Sequence, residues 1–194
     1  MNYDDELRLI IRGFRLLSDE DDISKLMEIM KGISEWLSIQ KLGAYMEKYR
    51  LVDENSPKEV WLQSKRDYEK FGGVSGGGLI GFKGKKPMLL NGKIYWDHYG
   101  FNSIAIYISM KYIQTYIGYP KFLELAKQLF IWLNGYWGYS YHPSQSKIHY
   151  CPGISEEVCL GGITWLTLFG LPYVEMFGKK KLMSVPCRVE EFAD

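Results

Sequence analysis

Three scarcities bound what this chain can be. Cysteine comes first: the 194 residues hold only Cys151, Cys159 and Cys187. An odd count with no secretory leader argues against a disulfide framework and for reduced thiols in a cytoplasm. The start, Met1-Asn2-Tyr3-Asp4-Asp5-Glu6, is acidic, whereas a secretory signal opens on basic residues and an apolar core. The expected location is therefore cytoplasmic. Long apolar runs are also missing: none approaches the roughly 20 residues that cross a bilayer, so no membrane is expected as a partner. The third scarcity is charge of one sign. Lys and Arg number 24 and Asp and Glu 23, a formal net charge of +1. A nucleic-acid binder usually carries a strong basic excess, so nucleic acid is not an expected partner.

Aromatic residues are plentiful, with 15 Tyr, 9 Phe and 6 Trp. Tyr and Trp join apolar area to a polar handle, which suits cores and interfaces alike. The length fits one domain spanning 1–194, large enough to bury a core without staples.

Hydropathy periods order the elements. Leu7, Leu9 and Ile11 alternate with Arg8 and Arg12, which predicts a half-buried strand bent or bulged at Gly13. Ser18-Asp19-Glu20-Asp21-Asp22 then opens a helix, its carboxylates suited to capping and to the positive end of the dipole. Ile23, Leu26, Met27, Met30, Ile33 and Leu37 form its apolar stripe. Residues from Ala44 to Tyr49 suggest another helix, and Ser56-Pro57 marks the start of one more. Gly72 to Gly78 is a glycine-rich loop. Short strands are expected at Leu79 to Phe82 and Met88 to Leu90, with Asn91-Gly92 as a hairpin turn. Ile104 to Met110 alternates as a strand. Phe122 to Leu133 repeats as a second amphipathic helix closed near Asn134-Gly135, and Tyr136 to Tyr141 follows as a strand. Mixed order with hairpins predicts an α+β fold, a largely antiparallel sheet with amphipathic helices packed on one face.

Several motifs invite chemistry. Gly76-Gly77-Gly78-Leu79-Ile80-Gly81 spells G-x-G-x-x-G, but a dinucleotide site needs a helix to open behind it, and Phe82-Lys83-Gly84-Lys85-Lys86-Pro87 will not start one. Gly73-Val74-Ser75-Gly76-Gly77 spells G-x-S-x-G, yet the charged, helix-like Lys65 to Lys70 stands where a nucleophile elbow needs a strand. His142, His149, Cys151 and Cys159 match no standard zinc spacing, and nothing local would lower the pKa of Cys151. No catalytic residue, metal or cofactor is assigned, and the chain is not expected to be an enzyme. A small hydrolase using Ser75 or Cys151 with a histidine stays open as an alternative. So does a nucleic-acid-binding accessory role for Lys83, Lys85, Lys86 and Lys93, close to Tyr95, Trp96 and Tyr99. The bland reading of those lysines is a solvated hairpin that protects sheet edges.

Carboxylates cluster at Asp4 to Glu6, Asp19 to Asp22, Glu156-Glu157 and Glu190-Glu191. A protein that blocks a nuclease can present carboxylates to the basic cleft of its target. Helix capping already accounts for Asp19, Asp21 and Asp22. Glu156 and Glu157 have no such role and are the preferred partner-binding patch, with Asp19, Asp21 and Asp22 second.

The run from Gly161 to Gly178 is apolar and aromatic, punctuated by four glycines and a proline. Ile163 to Phe169 reads as a buried strand with Trp165 in the core. Pro172 suits the first turn of a short helix, Gly178 its end, and Lys179 to Lys181 the negative end of its dipole. Trp165, Phe169, Gly170, Val174, Gly178 and Pro186 together resemble the C-terminal signature of bacterial polymorphic-toxin immunity proteins, in particular the immunity protein 52 family. That resemblance implies an α+β protein that binds and neutralises one cognate secreted toxin domain, often a type VI effector. It also implies a toxin of nuclease type, in a restriction-endonuclease-like class.

Overall fold

The computed structural model describes residues 5–17, 19–44, 48–73, 76–97, 102–143 and 164–192. Among these described residues, eight strands form one antiparallel sheet: β1 (Glu6–Gly13), β2 (Ile39–Ala44), β3 (Arg50–Leu51), β4 (Gly78–Gly84), β5 (Leu90–Trp96), β6 (Asn102–Ser109), β7 (Gly135–Tyr141) and β8 (Leu166–Phe169). Their spatial order is β3-β2-β4-β5-β6-β1-β7-β8. The first strand thus sits inside the sheet, between two strands about a hundred residues further along. The fold is α+β, as the mixed order of elements predicts. Among the described residues, no helix is long and apolar enough to cross a membrane.

Alternation in β1 works as the sequence suggests. Leu7, Leu9 and Ile11 are buried on one face, and Arg8, Ile10 and Arg12 line the other. The expected bulge is present: pairing with β7 shifts register between Arg12 and Gly13. Three helices cover the Leu9 face: α1 (Glu20–Ile33), α2 (Ser56–Lys70) and α4 (Tyr119–Trp132). Ile23, Leu26 and Met30 of α1, Val60 and Trp61 of α2, and Phe122, Leu125 and Leu129 of α4 all enter this core. Ser64 of α2 also ties helix to sheet. Its hydroxyl accepts from the Leu79 N–H at 2.8 Å and donates to the Leu79 carbonyl at 2.7 Å.

Helix boundaries follow local chemistry. Asp19 caps α1, and Asp53 accepts the N–H groups of Asn55 and Ser56 just ahead of Pro57 in α2. The Ser56 hydroxyl bond, above all, holds the Asp53 carboxyl below the usual carboxylate range. After α1 the chain does not continue its stripe to Leu37. Ser34 accepts the Trp36 N–H and starts a 3-10 turn, Glu35–Leu37, which still buries Leu37.

Four expectations need correction. Residues near Ala44 are strand, not helix: β2 runs to Ala44 and pairs with β4, and Arg50–Leu51 adds an edge strand. Asn91-Gly92 is not a turn but lies within β5, opposite Lys83 and Phe82. The reversal is earlier, where Lys86 O accepts the Leu89 and Leu90 N–H groups and Met88 is exposed. Gly92 is glycine for clearance: a Cβ there would strike the Phe82 ring and fall 2.5 Å from the Ala105 carbonyl oxygen. The strand β6 stops at Ser109, which caps a short helix, α3 (Met110–Tyr112), continued by a π-helical turn to Ile117. Finally, the Ile163 to Phe169 strand shrinks to Leu166–Phe169, with Ile163 outside the described residues.

Two short helices follow β8, α5 (Leu171–Phe177) and α6 (Lys179–Met183). The glycine between them, Gly178, has φ +82° and so occupies a conformation that suits no other residue well. Tyr173 and Phe177 of α5 pack on Trp137 and Phe169, which lie on the face away from α1, α2 and α4. A second, aromatic core therefore covers the β7–β8 end of the opposite face.

Candidate functional site

The acidic residues expected to meet a partner are placed unequally. Glu156 and Glu157 lie outside the described residues. Asp19 spends its carboxylate on the Asp21 N–H at 3.1 Å. Asp22 is buried and takes the Arg15 guanidinium at 3.0 Å, while Arg15 also lies over the Trp132 ring. That contact fastens the segment after β1 to the end of α4. Asp21 is exposed. Asp19, Asp21, Asp22 and Glu28, with Arg15 and Lys25, line a shallow groove beside Trp132. Of the sequence's acid cluster, capping and the Arg15 pair explain two members.

The motif residues are similarly divided. Ser75, His98, His149, Cys151 and Cys159 lie outside the described residues; His142 is half-buried beyond the end of β7. Around the glycine loop, helix α2 comes before and strand β4 after, the reverse of a nucleophile elbow. Gly78 and Gly81 of the G-x-G-x-x-G string sit inside β4, and β5 rather than a helix follows. Among the described residues, no group of three or more His, Cys, Asp or Glu side chains could hold a metal.

Lysines that are neighbours in sequence part company in space. Lys85 and Lys86 leave the sheet to sit over the rings of Trp36 and Tyr116, at 4.8 and 4.4 Å. Trp96 points into the helix-side core, stacked on Trp61, and Tyr99 lies outside the described residues. Lys83 and Lys93 stay on the sheet, on the face that α1, α2 and α4 leave open.

That face is built by register; among the described residues no helix lies over its β2–β4–β5 part, while α5 covers its β7 end, where Trp137, Tyr139 and Tyr141 are buried. Across six strands, Lys41, Lys83, Asn91, Tyr107, Arg8 and Tyr141 are successive cross-strand partners in one row. The next row runs Gly43, Gly81, Lys93, Ala105, Ile10 and Tyr139. A third continues Leu79, Tyr95, Ser103, Arg12 and Trp137. Five cations thus stand in three rows that hold no carboxylate. Acids appear at the rim, each already engaged: Glu6 bonds Arg8 at 2.7 Å, and Asp97 accepts the Tyr95 hydroxyl at 2.9 Å. Burial works against the Arg8 charge, but Glu6 and Tyr141 outweigh it and raise the guanidinium pKa. Burial, then the bonds with Tyr68 and Asp97, push the Tyr95 hydroxyl well above the usual phenol value. The glycines of the second row make room for a ring: Tyr49 lies over Gly43 and Gly81, and the Lys83 ammonium sits 4.3 Å from its centroid.

The sequence does hold a signal for this face: Arg8 and Arg12 stand on the polar side of β1, and Lys83 and Lys93 on the same side of β4 and β5. It could not be assembled without knowing which strands are neighbours.

Trp165 corrects a further expectation. It is half exposed, not core. Pairing of β8 begins only at Leu166, whose neighbour Leu168 fills the inner position, so Trp165 falls at the bend before the strand. There it rests against Tyr119 and Phe122 at the start of α4, with centroids 5.8 and 5.9 Å apart. Trp165→Ala should therefore cost about 1 kcal/mol, the scale of such ring contacts, and not the loss expected of a core tryptophan. A thermal melt measures it; a drop beyond about 6 °C would show a buried role after all.

No family model matches the chain, and no curated protein matches it. Among solved structures, it is similar to the Pseudomonas aeruginosa T6SS protein PA0821, with 13% sequence identity and a TM-score of 0.52. The match covers 90% of this chain and 61% of that one, so this chain spans under two thirds of its structural neighbour. At this identity the likeness establishes the fold.

Proposed function

We propose that this chain is an immunity protein of a type VI secretion system, which binds and neutralises one cognate toxin domain. The observation that carries the reading is the fold shared, over most of this chain, with a T6SS protein of Pseudomonas aeruginosa. The resemblance of the C-terminal run to the immunity signature is in line with it. Phe169 ends β8, Gly170 makes the turn, Val174 lies in α5 and Gly178 closes that helix, in line with the resembled pattern, although its tryptophan, Trp165, stands at the bend before the strand. Neutralisation on this reading is stoichiometric binding in the cytoplasm, with no reaction centre in the chain. The toxin is of nuclease type, and Glu156 and Glu157 are proposed to meet its phosphate-binding cleft, with the Asp19 to Asp22 groove as a subsidiary contact.

Co-expression tests this directly. Cells making the toxin domain encoded beside this gene should survive when this chain is co-produced, and the two should purify as a one-to-one complex. Death of the cells with both proteins soluble would sink the reading. In the same assay, Glu156→Lys with Glu157→Lys should slow association most at low salt, because complementary charge acts on encounter. Equal rates at every salt concentration would remove these two carboxylates from the interface.

A further inference from the structure

We infer that the β2–β4–β5 part of this sheet face, centred on Lys41, Lys83 and Lys93, is a docking surface for an acidic protein patch. On the reading proposed above, that patch belongs to the toxin and lies outside its basic cleft. The inference rests on that reading for the partner's identity, and on the sheet for its chemistry.

Three observations lead there. Lys41 and Lys83 are direct cross-strand partners. Like charges placed opposite one another on a sheet are destabilising, so this pair is held at a cost that a bound anion would reverse. The next row supplies Lys93, which is exposed, while Arg8 is already ion-paired with the rim acid Glu6 and Asp97 is bonded to Tyr95, so the excess of positive charge rests on Lys41, Lys83 and Lys93. The face therefore carries a local positive potential inside a protein whose total charge is nearly zero. Charge of this kind selects partners of the opposite sign and speeds their encounter.

The arrangement of the rings separates a protein partner from a nucleic acid. Single strands bind sheets by stacking bases on exposed aromatic faces. Here the protein's own cations occupy those faces: Lys83 over Tyr49, and Arg8 at 5.7 and 5.9 Å from the Tyr107 and Tyr141 centroids. The rings position the cations instead of offering themselves. A row of held cations flanked by tyrosines is suited to carboxylates, and Tyr and Arg are residues that interfaces favour.

The test compares wild type with Lys41→Glu/Lys93→Glu, and with Lys41→Gln/Lys93→Gln as a milder pair. Both positions are on the solvent side of their strands, and removing Lys41 relieves the repulsion with Lys83, so melting temperatures should hold. The probe is the toxin domain encoded beside the gene, with its catalytic residue inactivated. Association with wild type should slow as salt rises, and the Glu pair should associate at least tenfold more slowly at low salt, the Gln pair by an intermediate factor. Wild-type binding that both pairs match at every salt would overturn this inference and leave the immunity reading intact. No binding by wild type would overturn the immunity reading, and this inference with it. A fluorescent single-stranded oligonucleotide is the third arm: tight wild-type binding at physiological salt, lost in the Glu pair, would reassign the face to nucleic acid.

Discussion

Trp96→Ala should lower the melting temperature by roughly 6–20 °C, corresponding to about 3–5 kcal/mol for a large aromatic removed from a packed core. Trp96 is the last residue of β5, and its ring is stacked on Trp61 of α2 with centroids 4.2 Å apart and planes 4° from parallel. Its indole N–H donates to the Gly76 carbonyl at 3.1 Å. Gly78, at the start of β4, has no side chain because the Trp96 ring occupies that space. One side chain therefore joins a helix, a strand end and the glycine loop, and no neighbour is free to collapse into the hole. Trp96→Phe keeps a ring on Trp61 but loses the N–H bond, and should fall between wild type and Trp96→Ala. Differential scanning calorimetry decides it; a shift under about 2 °C for Trp96→Ala would show that α2 does not depend on this contact.

What was legible in the sequence divides along physical lines. Strand β1 and helices α1 and α4 announced themselves because each has one buried face and hence a clean period; β7 is buried on both sides and was marked by its aromatic residues after Asn134-Gly135. Strands β2 and β5 did not. A bulge between Ile39 and Lys41 breaks the alternation of β2, and glycine misleads in β5. Asn91-Gly92 has the chemistry of a tight turn, yet Gly92 is there to let the Phe82 ring cross the strand. Local composition cannot distinguish a glycine chosen for its dihedral freedom from one chosen for its missing side chain.

The open face was out of reach for a different reason. Arg8, Lys41, Lys83 and Lys93 span 86 positions of sequence, and they become neighbours only through pairings between distant strands. Reading the lysines along the chain grouped Lys83 and Lys93 with Lys85 and Lys86, which the structure sends to Trp36 and Tyr116. Trp165 shows the same limit from the other side. An apolar run predicts burial for all its members, but a strand can begin one residue later than the run does.

Gly170→Ala should destabilise the protein by about 1–3 kcal/mol, and by more if the backbone cannot yield. The φ of Gly170 is −83°, which any residue adopts, so the requirement is not conformational. It is steric: a Cβ would be driven into the Gly135 carbonyl oxygen and would lie 2.7 Å from the Tyr136 Cα. Both obstacles are backbone, at the start of β7, and they are held in place because the Gly170 N–H donates to the Tyr136 carbonyl at 3.0 Å. Relief requires β8 and α5 to move away from β7, which would open the aromatic core of Trp137, Phe169 and Tyr173. That gives the phenylalanine–glycine turn of the C-terminal signature a physical meaning, close approach of two backbones, and makes the prediction specific. Near-ultraviolet circular dichroism should lose part of its aromatic signal in Gly170→Ala while the far-ultraviolet signal, dominated by the rest of the sheet and by α1, α2 and α4, is largely kept. Gly178→Ala is the contrast: a Cβ there meets nothing within 4 Å, but φ is +82°, so its cost is backbone strain at the α5–α6 junction with the aromatic signal preserved. If Gly170→Ala melts within about 2 °C of wild type with its aromatic signal intact, the turn glycine is not what holds β8 against β7.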